Sequence, residues 1–281
     1  LSAPGSVNWD YTVSNVNLDF LSVGETIALT YRVSVTDDSG VNPASGNNEV
    51  DTTFQDVTIT IPGTNDTPVI TEAIADFAFT ESDNASAQNL SQSGTLAFDD
   101  MDVDDVIDVT STVKTPAVFS GGTIGAGLKS ALEAGFSISG TAVAVPGSVN
   151  WTYTVNAADL DFLAVGQTIT LAYTVTVSDS QGASATDDVI VTINGSNDAP
   201  VITVGAGDST AATLDETNAG LSASGTLSVS DLDVTDTVTA AIQGLVKSGT
   251  TAGLGVSDQD LASYLTLTVA NVIDDTATEG K

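Results

Sequence analysis

The chain has 281 residues, more than one average domain, so two or three folded units are expected. Its 37 acidic and 5 basic residues give a formal net charge of −32, which argues against binding to nucleic acid or to anionic membrane surfaces. It contains no histidine and no cysteine, which excludes disulfide bonds, thiol nucleophiles and the usual catalytic triads.

Other features narrow the class of protein further. No run of 18 apolar residues is present, so no membrane insertion is expected. The acidic residues cluster at predicted turns rather than around a cleft, and no glycine-rich phosphate loop occurs, so we expect no enzyme activity. The absence of cysteine favours a bacterial protein outside the cell. Because no signal peptide is visible, the chain is expected to be a piece of a longer protein.

In chain order, the predicted elements are mostly strands in which apolar and polar residues alternate. The first carries Trp9 and Tyr11 on one face, and both are expected in a core. The alternation returns in six further segments, and threonine often fills the outward face in them; these are residues 27–35, 57–61, 96–98, 151–155, 169–177 and 189–193. Residues 18–21 and 160–163 each predict one apolar turn. Short helices are expected at residues 126–134 and 261–265, the second capped by Ser257 and Asp260.

A long internal repeat divides the chain. Residues 4–9, PGSVNW, recur letter for letter at residues 146–151, and a second motif, GTNDTPVI at residues 63–70, returns as GSNDAPVI at residues 195–202. The two spacings differ because the first copy has an insertion around residues 41–50, as a surface loop tolerates. We predict three units from this pattern: the C-terminal half of a β-sandwich repeat at 1–66, a complete repeat at 67–198, and the N-terminal half of a further repeat at 199–281.

The second motif forms two predicted hinges, each placed directly after a strand. Glycine turns the chain, an Asn-Asp pair supplies oxygen atoms, and proline stiffens the start of the next strand. The first hinge offers Asn65 and Asp66, and the second offers Asn197 and Asp198. Oxygen ligands gathered at a stiff junction are typical of Ca²⁺ sites. We therefore interpret both hinges as metal-braced boundaries.

Each hinge is followed by an acidic D-x-D-x-x-D pattern behind a short strand. Alternate residues of an extended segment point the same way, so D-x-D can present two carboxylates to one ion. A merely solubilising acidic surface is the alternative interpretation. The residues are Asp100, Asp102 and Asp105 in one repeat, and Asp231, Asp233 and Asp236 in the next.

The pattern W-x-Y-T-V…LDFL-x-VG-x-T-I, together with NDxPVI and D-x-D, resembles cadherin-like repeats, and most closely the VCBS-type repeats of large bacterial RTX-class surface adhesins. The resemblance spans essentially the whole chain and implies an all-β fold of tandem Ig/cadherin-like Greek-key sandwiches joined by short calcium-binding linkers. It implies one ligand set from Asn65, Asp66, Asp100, Asp102 and Asp179. The resemblance implies a second ligand set from Asn197, Asp198, Asp231, Asp233 and Glu81. The counterpart of Asp179 for this set would lie beyond Lys281, so the second site is expected to have fewer ligands within this sequence.

The function expected from these observations is mechanical. The chain is predicted to be a calcium-stiffened extender of a giant adhesin at the bacterial cell surface, whose partners are neighbouring repeats of the same chain. The alternative is a repeat that itself binds a carbohydrate, a surface or an identical partner. Low aromatic content, 5%, with most aromatics on predicted core faces, favours the extender. Because units 1–66 and 199–281 carry complementary halves of a sandwich, head-to-tail self-association is a further expectation.

Overall fold

A computed structural model describes residues 4–14, 16–37, 40–47, 50–83, 87–216, 220–269 and 271–273. Within them lie fifteen β-strands and two short α-helices, so the predicted all-β class is confirmed. The elements are β1 (Thr26–Thr36), β2 (Thr52–Pro62), β3 (Val69–Glu72), β4 (Phe77–Thr80), β5 (Gln88–Asp99), β6 (Val106–Phe119), α1 (Ala126–Glu133), β7 (Phe136–Ile138), β8 (Gly140–Ala144), β9 (Gly147–Ala158), β10 (Thr168–Ser178), β11 (Ser184–Asn194), β12 (Val201–Thr203), β13 (Ser228–Ser230), β14 (Val238–Thr239), α2 (Asp258–Ser263) and β15 (Asn271–Ile273).

Strands β3 to β11 form a sandwich of two sheets. One sheet has the order β4-β11-β10-β6-β8 and the other has the order β3-β5-β9-β7. All pairs are antiparallel except β4 with β11. Both sheets contribute to one hydrophobic core, as cadherin-like and Ig-type sandwiches require.

The alternation in β10 shows how the sequence selects the core face. Its apolar side chains are buried, whereas most of its threonines are only partly covered or exposed, because successive side chains of a strand point to opposite faces. Trp151 and Tyr153 on β9 are also buried, as predicted. A Cβ on Gly94, opposite Trp151, would lie 2.9 Å from the indole ring, so glycine leaves the space that the ring fills.

Both predicted helices are confirmed, with small shifts of their ends. Helix α1 matches the predicted segment, and Tyr173 anchors it by donating a hydrogen bond to the Leu132 carbonyl at 2.8 Å. Helix α2 begins after Ser257, which forms the predicted capping box with Asp260, and ends two residues before the predicted end. No helix in the described part of the chain is long and apolar enough to cross a membrane.

The smaller sheets repeat the pairing of the complete sandwich. In β1–β2, Leu29 lies opposite Ile59, just as Leu171 lies opposite Val191 in β10–β11. Sheet β12–β13 repeats the β3–β5 register in the same way. Among the described residues, no strand pairing joins one predicted unit to another. The three units remain a prediction, with which this pairing is compatible.

The prediction for the first strand is wrong. Residues 4–14 contain no assigned strand, and Trp9 is 58% exposed instead of buried. The equivalent strand β9 is paired on both sides, with β5 and β7. No described strand pairs with residues 4–14. The alternating pattern therefore lacks the cross-strand partners that stabilise a strand and cover its aromatic face.

Candidate metal centres

Each hinge starts at a glycine packed directly against a turn. A Cβ on Gly195 would lie 2.1 Å from the Leu163 carbonyl oxygen, and one on Gly63 would lie 2.2 Å from that of Leu21. Neither glycine has a positive φ. We expected glycine to turn the chain; the structure instead requires it for close approach of two backbones. The turns are the predicted ones, closed by hydrogen bonds from Leu163 to Leu160 and from Leu21 to Leu18.

The first candidate centre brings together Asp100, Asp105 and Asp179. Each offers one carboxylate oxygen, and these atoms lie within 4.8 Å of one another. All three side chains are buried. Asp100 and Asp105 come from the D-x-D-x-x-D segment and Asp179 from the end of β10, which neighbours β6 in the sheet. Residues far apart in sequence therefore meet at one end of the sandwich.

Asp179 is oriented by the turn that follows it. Its Oδ1 accepts hydrogen bonds from the backbone N–H groups of Gln181, Gly182 and Ala183, at 2.9, 2.6 and 2.9 Å. Gly182 has φ +101°, a conformation that favours glycine, which explains why glycine stands three residues after Asp179. The turn therefore holds the carboxylate in one orientation.

Hydrogen bonds tie the first hinge to this centre. The Asn65 side-chain amide donates to Asp179 Oδ2 at 2.9 Å, and the Asp66 N–H donates to Asp102 Oδ2 at 2.8 Å. Asn65 and Asp66 are half-buried, whereas Asp102 is fully buried. The five residues predicted as ligands at this boundary thus lie together, and Asp105 of the same acidic pattern lies with them.

The second candidate centre consists of Glu81, Asp161 and Asp198, again with one oxygen from each within 4.8 Å of the others. All three are buried. Glu81 is positioned by the hinge itself, because its Oε2 accepts hydrogen bonds from the Ser196 N–H at 3.0 Å and hydroxyl at 2.5 Å. The Asp198 N–H donates to Asp233 Oδ2 at 2.8 Å, which repeats the link made by Asp66.

The D-x-D-x-x-D segments fold alike at both hinges. The N–H of the middle aspartate donates to the first carboxylate, at 3.2 Å for Asp102 and 3.1 Å for Asp233. Asp231 and Asp236 are half-buried beside Asp233 but lie outside the three-oxygen group. Asn197 is exposed, and its amide donates to the Asp198 carbonyl. Of the predicted second set, the structure thus gathers Glu81, Asp198 and Asp233 most closely.

Asp161 was missed by reasoning from the sequence. It lies in the LDFL turn at residues 160–163, which we assigned only an apolar packing role. The turn packs against Gly195, and this contact brings Asp161 to the hinge. The sequence feature that could have identified it is an acidic residue between apolar neighbours in both copies of the turn, Asp19 in the first and Asp161 in the second.

Burial and mutual repulsion disturb the ionisation of several of these acids. Burial, followed by the neighbouring carboxylates, raises the pKa of Asp105 and of Asp161 above the usual value. The pKa of Asp100 is also raised, chiefly by burial. Burial, together with the charges of Asp236, Asp198 and Asp231, raises the pKa of Asp233 to about 6. The groups are therefore unfavourable as a set of free anions.

No basic side chain of the described residues compensates the two centres. The four described basic residues each pair with an acid elsewhere: Arg32 with Asp56, Lys114 with Asp188, Lys129 with Glu133, and Lys247 with Asp258. Within the described part of the chain, the carboxylates of both centres therefore have no basic partner.

Buried oxygen atoms without a hydrogen-bond partner converge at the same places. At the first hinge they are Asn65 Oδ1, Asp100 Oδ2, Asp102 Oδ1 and Asp105 Oδ2; at the second they are Glu81 Oε1, Asp161 Oδ1 and Asp233 Oδ1. Buried polar atoms are normally paired, so a cluster of unpaired buried oxygens is a candidate binding site for a cation. Oxygen-only donors fit a hard cation, and the irregular number and mixture of carboxylate and amide oxygens fits Ca²⁺ best.

No family model and no curated protein matches the chain. Among solved structures it is similar to the PapD-like domain 7 of human CEP192, with a TM-score of 0.31, 11% identity, and 47% of this chain and 86% of that one covered. It is also similar to AggA, the major subunit of aggregative adherence fimbriae type I from Escherichia coli (TM-score 0.28, 13% identity, 46% and 93% covered).

A third similar structure is zebrafish RET cadherin-like domains 1 to 4, with a TM-score of 0.23, 10% identity, and 59% of this chain and 41% of that one covered.

Proposed function

We propose that the chain is a calcium-stiffened extender segment of a large adhesin at the bacterial cell surface. It would be secreted, would join neighbouring repeats of the same long chain, and would hold a binding head away from the cell. The observation that carries the proposal is the convergence of buried, unpartnered oxygen atoms at both hinges.

The choice of Ca²⁺ follows from the donor atoms. The chain offers carboxylate and amide oxygens but no imidazole or thiolate, which disfavours zinc and copper. Mg²⁺ demands a near-ideal octahedron at about 2.0–2.1 Å, whereas Ca²⁺ accepts six to eight oxygens at about 2.3–2.6 Å in flexible geometry. At the first centre Asp100, Asp105 and Asp179 would hold the ion, with Asn65 and Asp102 completing the set. At the second, Glu81, Asp161 and Asp198 would do so, with Asp233 beside them.

The hinge would be stiffened because its ligands come from different parts of the chain. Glu81 and Asp161 precede the second hinge, Asp198 belongs to the hinge, and Asp233 follows it. One cation bound by these groups would tie three parts of the chain together and remove their repulsion. Extracellular modules bind calcium with Kd of about 10⁻⁴–10⁻³ M. Calcium at 100 times Kd would stabilise the assembled hinge by about 2.7 kcal/mol.

Aromatic side chains in the complete repeat support a mechanical role over direct ligand binding. Phe136 stacks on Trp151 and on Tyr173, and Tyr153 meets Tyr173 edge to face. All four rings are buried inside the sandwich. They therefore do not form the exposed aromatic platform that a carbohydrate-binding face needs.

Small-angle X-ray scattering with calcium and with EDTA tests the proposal. We expect EDTA to broaden the distribution of angles at the hinges and shorten the particle, while circular dichroism retains most of its β signal because the apolar core remains. Calorimetric titration of the same samples measures the binding itself.

A double variant tests the second hinge separately, with the unchanged first hinge as an internal control. Asp231→Ala with Asp233→Ala should loosen the second hinge only, because both residues follow that hinge. Superimposable scattering curves of the unmodified protein in calcium and in EDTA would show that the proposal is wrong and that the acids are solubilising surface.

A further inference from the structure

Gln167 links the complete repeat directly to the unit that follows the second hinge. Its side-chain Nε2 donates a hydrogen bond to the Thr235 hydroxyl at 2.8 Å, and its Oε1 accepts one from the Ala164 N–H at 3.1 Å. Its backbone N–H donates to the Ala164 carbonyl, and its carbonyl accepts from the Gly195 N–H, each at 3.0 Å. One residue therefore joins the end of the LDFL turn, the hinge glycine and the next acidic segment.

The surroundings of Gln167 make room for this side chain but leave a gap beside it. A Cβ on Gly121 would lie 2.6 Å from Gln167 Nε2, so glycine at this position leaves the space that the amide fills. Gly121 also lines an open cavity of about 380 Å³, together with Phe119, Phe162 and Val234. Apolar packing therefore leaves this side of the hinge unfilled, and the hydrogen bond to the next unit supplies a direct link.

The first hinge has acids at both equivalent positions. Glu25 stands where the second hinge has Gln167, and Asp104 stands where it has Thr235. The backbone and one carboxylate oxygen of Glu25 repeat the local contacts of Gln167. Its N–H donates to the Ser22 carbonyl at 3.1 Å, and its Oε2 accepts from the Ser22 N–H at 3.1 Å. The remaining oxygen of Glu25 therefore takes the place of the amide nitrogen of Gln167.

The acidic pair is unable to form the link that the amide and the hydroxyl form. An ionised carboxylate only accepts hydrogen bonds, so Glu25 and Asp104 have no hydrogen to share. Their like charges also oppose close approach. A cation is what would bring these two side chains together, whereas Gln167 and Thr235 need none.

We propose that the contact between Gln167 and Thr235 limits the opening of the second hinge when calcium is absent, whereas the acidic pair of Glu25 and Asp104 leaves the first hinge dependent on the ion. When calcium is scarce, the first hinge then bends before the second. This difference deepens the extender function. Its calcium dependence rests on the proposed cation binding, whereas the difference between the two hinges in EDTA depends on these four side chains.

Distances between spin labels across each hinge test the difference, because the chain has no native cysteine. The pair T60C and T112C spans the first hinge, and the pair T112C and T203C spans the second; all three threonines are exposed. In EDTA, double electron–electron resonance should show an opened population about twofold to tenfold larger at the first hinge, the effect of one hydrogen bond. In saturating calcium both distance distributions should be narrow. Equal opened populations in EDTA would overturn the proposal.

Exchanging the four side chains isolates the cause. The double variant Q167E and T235D gives the second hinge the acidic pair, and it should raise the opened population of that hinge in EDTA about twofold to tenfold. Glu25 shows that a glutamate at this position still accepts the hydrogen bond from the turn. The reciprocal double variant E25Q and D104T should lower the opened population of the first hinge by a similar factor.

Two further variants complete the test. The control Q243E and T250D adds the same charge at exposed positions outside the hinge segments and should change neither distribution. Thr235→Val removes only the hydroxyl acceptor, so it should open the second hinge even if circular dichroism shows that the acidic double variant has lost β structure. If neither Thr235→Val nor the acidic double variant opens the second hinge more than the control does, the proposal is overturned. If calcium narrows neither hinge, the calcium-stiffened extender is wrong, while the comparison in EDTA still decides the role of Gln167.

Discussion

Replacing Asp161 by asparagine is expected to change the stability of the second hinge in opposite directions with and without calcium. The oxygens of Asp161, Glu81 and Asp198 lie within 4.8 Å of one another. At an effective dielectric constant of about 20, each ionised pair at this separation repels by on the order of 3 kcal/mol. Neutralising Asp161 removes two of the three pairwise repulsions.

The pKa of Asp161 reflects this environment. Burial, with the charges of Asp198, Asp159 and Glu81, raises the pKa of Asp161, so this carboxyl gives up its proton less readily than a free carboxyl does. Asp161→Asn should therefore raise the free energy of unfolding in EDTA by about 1–3 kcal/mol, less than the full Coulomb sum. In saturating calcium, loss of one carboxylate ligand should weaken binding by about tenfold to a hundredfold, equivalent to about 1.4–2.7 kcal/mol.

Urea denaturation in calcium and in EDTA provides the assay. The matched control is Asp159→Asn, which makes the same charge change beside the same turn but at an exposed position outside the three-oxygen group. We expect the control to change stability by less than about 0.5 kcal/mol in either condition. If Asp161→Asn lowers stability equally in calcium and in EDTA, the carboxylate has a structural role and the reasoning about a cation centre is refuted.

Three other perturbations test separate parts of the structure. Gly195→Ala should lower the free energy of unfolding by about 2 kcal/mol or more with or without calcium, because the new Cβ would overlap a carbonyl oxygen. The control Gly244→Ala, at an open position, should have little effect in the same urea denaturation. Equal urea midpoints for the two variants would contradict the close packing at Gly195. The carboxyl of Asp233, with its pKa raised to about 6, binds its proton more tightly in the folded state than in the unfolded chain, where the pKa is about 3.9. The protonated carboxyl therefore stabilises the folded state at low pH, and this contribution is lost as the pH rises through about 6. Acidifying the calcium-free protein from about pH 7.5 to about pH 5 should raise its melting temperature. A lower melting temperature at about pH 5 would contradict the raised pKa of Asp233. Tyr173→Phe removes the buried hydrogen bond to the Leu132 carbonyl and should cost about 1 kcal/mol in calcium and in EDTA alike; an unchanged urea midpoint would show that this bond does not stabilise the sandwich.

Local patterns in the sequence determined the strands of the complete repeat and the positions of most acidic groups. The alternation in residues 169–177 depends only on the two-residue period of a strand, so it predicts β10 and its buried face without knowledge of the partner strands. The spacing of Asp100, Asp102 and Asp105 likewise follows a short extended segment. The repetition of both patterns then placed the hinges at the same positions in each copy.

Only the tertiary structure decided which acids meet and which faces are covered. Asp179 reaches Asp105 because β10 and β6 are neighbours in one sheet. Asp161 reaches Glu81 because the LDFL turn packs on the hinge glycine. Trp9 has the same local sequence as Trp151 but stays exposed, since strand formation and burial depend on partners that no local pattern encodes. Contacts between distant segments set these features, and periodicity carries no information about such contacts.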